Sequence, residues 1–285
     1  MNGRKYAAAA GTVLLWSSAF PAVRFCMKYY SPEALMLFRF LVASVFLLGY
    51  NGIKKVKPPD VKDLPMFAAA GFFGIFLYMW AFNTGTNMVN SGISGFIIAS
   101  APVFTLILSI IFLKEKAKPL VWVGVLISFA GIVIIGSTQI IDTQLNTGVW
   151  LLVAAAVLTS IFNIIQRNIL RKYSAMQSVT YSITFATLFM CFFFPNLIRE
   201  FAYAPLSVNI AVVYLGLFPA ALAYLMWSYA LSKTDKTVHV TSFLYLTPFL
   251  ASVIAFLWLG ETMPGFAVLG GIVIISGMVL TNFVR

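Results

Sequence analysis

The sequence predicts an all-α membrane protein with ten transmembrane helices, arranged as two five-helix repeats of inverted topology. Hydrophobic residues make up 61% of the 285 residues and charged residues 9%, whereas soluble domains are about half apolar and a quarter charged. A soluble fold is excluded because it could not bury most of the 27 phenylalanines. A pattern of proline, glutamate and two glycines also occurs twice, at an offset close to half the chain length.

The net charge of +11 is distributed between the apolar runs, so a nucleic-acid partner is not expected. The two cysteines, Cys26 and Cys191, have no metal-ligand or disulfide spacing, and no metal or cofactor is expected. The first apolar run is interpreted as a retained helix and not as a signal peptide, because no small-residue cleavage site follows it.

Ten segments reach the roughly 20 apolar residues that a membrane span requires. Short connections separate them, of which Asn51 to Leu64 is the longest. The alternating segments of an outer-membrane barrel do not occur. The predicted spans cover residues 6–26, 33–50, 65–84, 90–113, 119–137, 148–169, 175–195, 209–231, 238–259 and 264–284.

The basic residues predict the orientation of these helices, because cytoplasmic loops are enriched in Lys and Arg. With a cytoplasmic N-terminus, all but four of the 19 basic residues fall in cytoplasmic segments. The exceptions are Lys28 and Arg199 in outer segments, and Arg24 and Arg39 within spans. A shift by one helix would scramble this distribution. The sequence therefore predicts a multi-pass protein of the inner or plasma membrane of a prokaryote, with both termini in the cytoplasm.

The internal repeat predicts two halves, residues 1–145 and 146–285. The same spacing separates the landmarks of both copies, which are Pro102, Glu115, Gly124 and Gly131 in the first and Pro248, Glu261, Gly270 and Gly277 in the second. Five helices per half is an odd number, so the second half must be inverted. Inverted halves that meet at a central substrate site recur in secondary transporters. A carrier is therefore the leading class, and Pro102 and Pro248 are expected to break or bend their helices and to take part in gating.

Two further motifs lie in the first two helices: Leu14-Leu15-Trp16-Ser17-Ser18-Ala19-Phe20, and Pro32-Glu33-Ala34-Leu35 followed by Arg39-Phe40-Leu41. Together with the two Pro-to-Glu helices, they resemble the drug/metabolite transporter superfamily, specifically its ten-helix EamA-type members, over essentially the whole chain. The family motif has Gly where this chain has Ser17. The resemblance implies export of small metabolites, often amino acids or related compounds, driven by an ion gradient or by the substrate's own gradient.

Arg39 is the leading candidate for a substrate contact, because a buried arginine in a span is costly and marks function by default. One interpretation is that it faces the cavity and attracts a carboxylate or phosphate group. The alternative is a structural role, in which it pairs with Glu33 or caps helix carbonyls. No acidic residue is expected at mid-depth, which argues against a dedicated exporter of cations.

Glu115 and Glu261 end the fourth and ninth helices at opposite membrane faces. The structural interpretation is an interfacial helix end, hydrogen-bonded to the N-terminus of the next helix, and the functional alternative is proton coupling through a carboxylate that becomes occluded. His239, the only histidine, begins the ninth helix as an interfacial residue or as a proton switch and inner gate. Protons are therefore a candidate coupling ion.

Aromatic and amide side chains in helices one, three, six, eight and nine suit a largely apolar pocket with a few orienting polar groups. The expected substrate-binding residues, besides Arg39, are Trp16, Ser17, Tyr78, Asn163, Tyr224 and Tyr245. Trp80 and Trp227 are interpreted as parts of aromatic belts at the membrane faces. The four repeat glycines are interpreted as sites of close helix packing.

The run Gly92-Ile93-Ser94-Gly95 also matches that of rhomboid-like intramembrane serine proteases. The predicted topology argues against this enzyme, because most of the ~30 Å hydrocarbon core separates Ser94 from His239. A nucleophile and its base must lie about 3 Å apart. No enzymatic activity is therefore expected.

The sequence thus predicts a secondary-active transporter, and more specifically an exporter, of amino acids or related zwitterionic or anionic metabolites. It is expected to work by alternating access through a central cavity. A multidrug or nucleoside-type efflux carrier, or a facilitative uniporter, is the alternative. The expected partners are the small-molecule substrate and membrane lipid, and the protein is expected to be a monomer.

Overall fold

The computed structural model describes residues 2–113, 118–137, 143–233, 240, 242–262 and 265–284. All regular elements within these residues are helical, and they form ten segments, named α1 to α10. Their bounds are α1, Asn2–Cys26; α2, Pro32–Ile53; α3, Val61–Met88; α4, Ser91–Ile98 and Ala101–Leu113; α5, Pro119–Ser137; α6, Thr143–Ile169; α7, Ala175–Tyr203; α8, Leu206–Ser232; α9, Ser242–Leu246 and Thr247–Leu259; and α10, Gly265–Val284.

Seven segments, α1 to α4 and α6 to α8, are long and apolar enough to cross a membrane. The other three contain shorter apolar helices within the described residues, namely Trp122–Gly131, Thr247–Leu259 and Val268–Gly277. The ten segments coincide with the ten predicted spans, but some ends differ. The prediction ended α7 at Pro195, whereas a new helical turn begins at Phe194 and continues to Tyr203. Proline is tolerated there because the first turn of a helix does not need its N–H.

Two segments are interrupted where the chain contains the repeat prolines. The first part of α4 ends at Ile98, and the second part begins at Ala101, directly before Pro102. In α9, a 3-10 helix over Ser242–Leu246 changes into the α-helix that contains Pro248 in its first turn. In both segments the proline falls in the first turn of the second helix, where its missing N–H donor costs no helical hydrogen bond.

Segments α3 and α8 contain one π-helical stretch each, which the sequence analysis did not predict. These stretches are Phe72–Leu77 and Gly216–Leu222. They occupy corresponding positions in the two halves, because Tyr78 and Tyr224 of the repeat follow them closely. π-Helical turns are rare and occur frequently at functional sites.

The contact between α5 and α10 is reciprocal with respect to the repeat. A β-carbon added at Gly131 would collide with the carbonyl oxygen of Gly270, and one added at Gly277 would collide with that of Gly124. Exchanging the halves converts each of these contacts into the other. The two helices are antiparallel, because contacts move up one helix as they move down the other. The structure confirms that the repeat glycines allow close helix packing.

A second reciprocal pair of hydrogen bonds links the residues just before α2 and α7 to the first turns of α8 and α3. The hydroxyl of Tyr30 donates to Asn209 Oδ1, and the hydroxyl of Tyr173 donates to Asp63 Oδ2 at 2.5 Å. The first bond lies at the membrane face where α1 ends. The second lies at the face where α1 begins. We call that face the N-terminal face, and the face where α1 ends the opposite face. This exchange of faces is the pattern expected of inverted halves.

Candidate functional site

A cavity of about 60 Å³ lies inside the bundle, at the junction of α1 to α4 with α6, α8 and α9. Most of the residues that line it form pairs related by the repeat. The pairs are Trp16 and Thr159, Ala19 and Phe162, Phe20 and Asn163, Tyr78 and Tyr224, Ile98 and Leu244, and Ala101 and Thr247. The cavity therefore lies where the corresponding parts of the two halves meet.

The two walls of the cavity differ in chemistry although the repeat relates them. In α1, Trp16 and Phe20 present aromatic rings, whereas the corresponding residues of α6, Thr159 and Asn163, are polar. The cavity is therefore lined by aromatic rings from both halves and, through α6, by two polar side chains. Such a mixture suits a substrate that has both apolar and polar parts.

Arg39 lies on the cavity wall and is only 2% exposed. One of its terminal nitrogens, Nη1, lies 3.6 Å from the sulfur of Met79, and its guanidinium carbon lies 5.5 Å from the ring centre of Phe40. Its Nε atom is buried without a hydrogen-bond partner in the described residues. No carboxylate within this part of the chain pairs with Arg39. The alternative pairing with Glu33 is not observed, because Glu33 Oε1 accepts a hydrogen bond from Trp80 Nε1 at 3.0 Å.

Other polar groups on the cavity wall also lack protein partners. The hydroxyl of Thr247 is buried and unpartnered. Among the residues that the structure describes, the hydroxyls of Tyr78 and Tyr224 and the amide of Asn163 make no hydrogen bond. Buried polar groups in proteins are normally hydrogen-bonded. These free donors and acceptors around one cavity are available to a ligand.

Trp16 anchors an aromatic cluster on the wall of the cavity. Its ring lies 5.1 Å from that of Trp227 and 5.5 Å from that of Tyr224, and Tyr224 lies 5.8 Å from Phe162. The interpretation of Trp227 as a membrane-belt residue was wrong, because it is 2% exposed and lines the cavity. Its position along α8 was compatible with either role, and only its orientation around the helix axis decides between them. Trp80, in contrast, is 39% exposed.

The remaining sequence candidates fall beside the cavity or outside the described residues. Ser17 is fully buried and its hydroxyl points to the carbonyl oxygen of Thr247 at 3.4 Å, so it joins α1 to α9 and does not line the cavity. Tyr245 follows the lining residue Leu244, and its side chain is not among those described. His239 and Glu115 lie outside the described residues.

Ser94 and Glu261 have local hydrogen-bond partners. Ser94 is buried, and its hydroxyl donates to the carbonyl oxygen of Asn90 within its own helix at 3.1 Å. Glu261 follows the end of α9, and its carboxylate accepts a hydrogen bond from the backbone N–H of Ser91 at 3.0 Å. This N–H belongs to the start of α4 and not to the next helix, which was the helix named in the structural interpretation.

Several lining residues were not singled out from the sequence. Phe20, Phe162 and Thr247 are the clearest examples. The repeat offers a signal that could have found them, because each corresponds to a residue of another type in the other half. Within an apolar span, a change of residue type between corresponding repeat positions can therefore point to a cavity-lining residue, which hydrophobicity alone cannot do.

A model of the EamA-like transporter family matches the chain twice, over residues 4–137 and 146–283. The chain is 34% identical over 267 residues to the uncharacterized transporter YdfC of Bacillus subtilis, covering 94% of this chain and 87% of the relative. It is also 34% identical over 271 residues to a protein of Streptantibioticus cattleyicolor named "Probable terminal-alkyne amino-acid exporter", covering 95% of this chain and 91% of the relative.

A more distant relative is the uncharacterized inner membrane transporter YedA of Escherichia coli, which is 25% identical over 278 residues and covers 94% of this chain and 87% of the relative. A solved crystal structure aligns with 100% of this chain and 98% of its own chain, with a TM-score of 0.68 and 17% sequence identity, which shows a shared fold. Because the family model and these relatives cover almost the entire chain, this multi-pass small-molecule transporter belongs to the EamA-like transporter family.

Proposed function

We propose that this protein exports amino acids or related zwitterionic or anionic metabolites by alternating access through the cavity beside Arg39. The observation that carries this proposal is Arg39 itself, a buried cation on the cavity wall that pairs with no carboxylate in the described residues. An arginine at the centre of a span costs roughly 2.5–3.5 kcal/mol on insertion scales. A substrate carboxylate would offset this cost with charge-assisted hydrogen bonds.

The other groups of the cavity fit the remaining parts of such a substrate. The free hydroxyls of Tyr78 and Tyr224 line the same cavity as Arg39 and can donate to a carboxylate that it holds. The amide oxygen of Asn163 can accept from an amino group. The rings of Trp16 and Trp227 offer an apolar surface to a side chain. The amino-acid substrate in the name of the Streptantibioticus cattleyicolor relative supports this assignment.

Alternating access is supported by the reciprocal contacts between the halves. The pairs of contacts made by the repeat glycines, and by Tyr30 and Tyr173, exchange when residues 1–145 and 146–285 are exchanged. Inverted halves of this kind allow one half to rock against the other around a fixed site. We further propose that the protein lies in the inner membrane of a prokaryote with both termini in the cytoplasm, because most of its basic residues fall in the segments on that side. We propose that it works as a monomer.

The test uses one carbon skeleton with three charge patterns: phenylalanine, the acid 3-phenylpropionate and the amine phenethylamine. Purified protein is heated with each compound, because a ligand that binds the native state raises the unfolding temperature. We expect stabilisation by the amino acid and by the acid, and none by the amine. Stabilisation by the amine without the acid would contradict the proposal.

The aromatic wall of the cavity favours one alternative, a nucleoside-type or multidrug carrier. Rings such as those of Trp16 and Trp227, whose centres lie 5.1 Å apart at an interplanar angle of 50°, can bind flat neutral compounds without help from a charge. A panel of neutral nucleosides in the same heating experiment separates the two functions. Stabilisation by nucleosides that persists in an Arg39→Gln variant would favour this alternative.

A further inference from the structure

We propose that Arg24 and Glu261 form a latch that closes the cavity at the opposite face, and that this latch must break for the cavity to open there. The two side chains meet beyond the cavity, where α1 and α9 end. Arg24 Nη1 lies 3.2 Å from Glu261 Oε1. The proposal goes beyond the substrate assignment, since it concerns how one mouth of the transporter is held shut.

Both partners of the latch make a second polar contact. Arg24 Nη1 donates to the carbonyl oxygen of Val89 at 3.1 Å, and Glu261 Oε2 accepts from the N–H of Ser91 at 3.0 Å. The side-chain amide of Asn90, which lies between Val89 and Ser91 in the sequence, donates to the carbonyl oxygen of Thr262 at 3.2 Å. The connection between α3 and α4 is thus held to both α1 and the end of α9.

The latch joins the two halves of the protein. Arg24, Val89 and Ser91 belong to the first half, whereas Glu261 belongs to the second. Rocking of one half against the other separates contacts of this kind on one face while the other face closes. A contact present in only one of two states biases the equilibrium toward that state. Breaking it should therefore favour the state that is open at the opposite face.

The local backbone positions Glu261 for this role. Gly260 ends α9 in the left-handed region, with φ of 68°, and the following N–H of Glu261 donates back to the carbonyl oxygen of Ala255 at 3.3 Å. This turn reverses the chain over the end of the helix. The carboxylate is held in place with its side chain 14% exposed, while that of Arg24 is 31% exposed. A charge-assisted contact that is partly withdrawn from water is stronger than an exposed one.

The repeat contains the same two residue types at corresponding positions in the other half. Arg24 corresponds to Arg167, by the spacing that relates Tyr30 to Tyr173, and Glu261 corresponds to Glu115. With only 19 basic and 8 acidic residues in 285, agreement at both positions indicates a shared role. Because Glu115 lies outside the described residues, the latch is argued from Arg24 and Glu261 alone.

The experiment measures how fast a cysteine in the cavity reacts with a membrane-impermeant maleimide added from either face. The reporter is Ala99→Cys, at a residue that lines the cavity, in a background where Cys26→Ala and Cys191→Ser remove the native thiols. Right-side-out and inside-out vesicles give access to each face in turn, so the result does not depend on the assumed orientation. The assay needs no substrate, so it can succeed even if the proposed substrate class is wrong.

We expect Glu261→Gln and Arg24→Gln to raise the labelling rate from the opposite face roughly tenfold, because each removes a contact that exists in only one state. Labelling from the N-terminal face should fall or stay unchanged. The charge swap Arg24→Glu with Glu261→Arg should return the rate toward that of the parent. Glu33→Gln, which neutralises a carboxylate on the same face as the latch whose hydrogen bond to Trp80 lies within the first half, is the matched control and should have no effect.

An unchanged rate in both single variants would overturn the proposal. An equal increase from both faces would overturn it too, since it would indicate general loosening. If the single variants fail to fold, a cross-link gives a second test. Cysteines at positions 24 and 261, joined by a short bifunctional maleimide, should abolish labelling from the opposite face. Continued labelling at the parental rate after cross-linking would exclude a latch.

Discussion

The indole nitrogen of Trp16 donates a hydrogen bond to the carbonyl oxygen of Pro219 at 3.1 Å. This bond connects α1 of the first half to the π-helical stretch of α8 in the second half. The same indole ring faces Trp227 and Tyr224 in the wall of the cavity. One side chain therefore contributes both to the contact between the halves and to the surface offered to substrate.

A Trp16→Phe substitution should separate these two contributions. Phenylalanine retains an aromatic ring but cannot donate to Pro219, so we expect a loss of about 1 kcal/mol of unfolding free energy. Thermal unfolding of the purified protein measures this change. Phe25→Leu, at an aromatic contact with Trp258 away from the cavity, serves as a comparison for ring loss. Unchanged stability of Trp16→Phe would show that the hydrogen bond contributes nothing net.

An Arg39→Gln substitution should remove the response to carboxylates. Loss of a charge-assisted contact in a buried site is expected to weaken carboxylate binding at least tenfold. Arg39→Lys should restore only part of it, since lysine lacks the planar fork of arginine. The measurement is the ligand-induced shift in unfolding temperature, with Arg199→Gln, an exposed residue of α7, as the matched control. Equal shifts in all variants would remove Arg39 from the binding site.

A Gly74→Ala substitution should reduce the size of the substrate that the cavity accepts. A β-carbon at Gly74 would overlap the side chain of Phe162, which lines the cavity. Displacing this ring toward the cavity would exclude larger substrates first, at a cost of about 1–3 kcal/mol for overpacking. Competition by ligands of increasing size measures the change. The double variant Gly74→Ala with Phe162→Ala should accept large ligands again, and failure of this rescue would argue against the mechanism.

A Gly131→Ala substitution should destabilise the contact between α5 and α10. The added methyl group would meet the carbonyl oxygen of Gly270 and the side chain of Ile274, and overpacking of this kind costs about 1–3 kcal/mol. Gly265→Ala is the matched control, because nothing lies within 4 Å of a β-carbon there. Both variants are compared by thermal unfolding. A Gly131→Ala variant as stable as the control would contradict the close packing.

Acidification should weaken the ion-pair cluster on the N-terminal face. Lys172 Nζ lies 2.6 Å from Asp60 Oδ2, and this hydrogen bond lowers the pKa of Asp60 below its ordinary value. Because the folded-state pKa is lowered, the stabilisation is present above the unfolded pKa and is lost as pH falls through the folded one. Asp60→Asn should therefore flatten the acid side of a plot of unfolding temperature against pH. An identical plot for both proteins would show that the pair adds no stability.

The spans and their repeat could be predicted from the sequence because membrane burial requires long apolar runs and the spacing of the repeat landmarks is unambiguous. Arg39, Trp16 and Asn163 could be proposed as site residues because charged and amide groups, and tryptophan away from the membrane faces, are uncommon inside spans. The orientation of a side chain around its helix could not be predicted in the same way. Lipid and protein interior are both apolar, so hydrophobic periodicity does not identify the inward side. Trp227 was misplaced for this reason.

The π-helical stretches of α3 and α8 could not be predicted either. Each stretch begins at or directly after a glycine whose backbone another segment approaches closely. A β-carbon at Gly216 would collide with the carbonyl oxygen of Arg39, and one at Gly71 would collide with that of Ser182. Only Gly allows such an approach at both positions. The two glycines are visible in the sequence, but the helix that packs against each of them is not.

Arg39 corresponds to Ser182 under the repeat, as the caps of α2 and α7 at Ser31 and Ser174 show. The charge that would hold a carboxylate is therefore present in one half only. A substrate bound to it would remain attached to the first half throughout a transport cycle, while the second half moves past it. Arg39 would then hold the carboxylate end of each substrate molecule both when it enters the cavity and when it leaves. On the proposed function, one buried charge in two otherwise related halves would therefore make the protein hold its substrate in one orientation only.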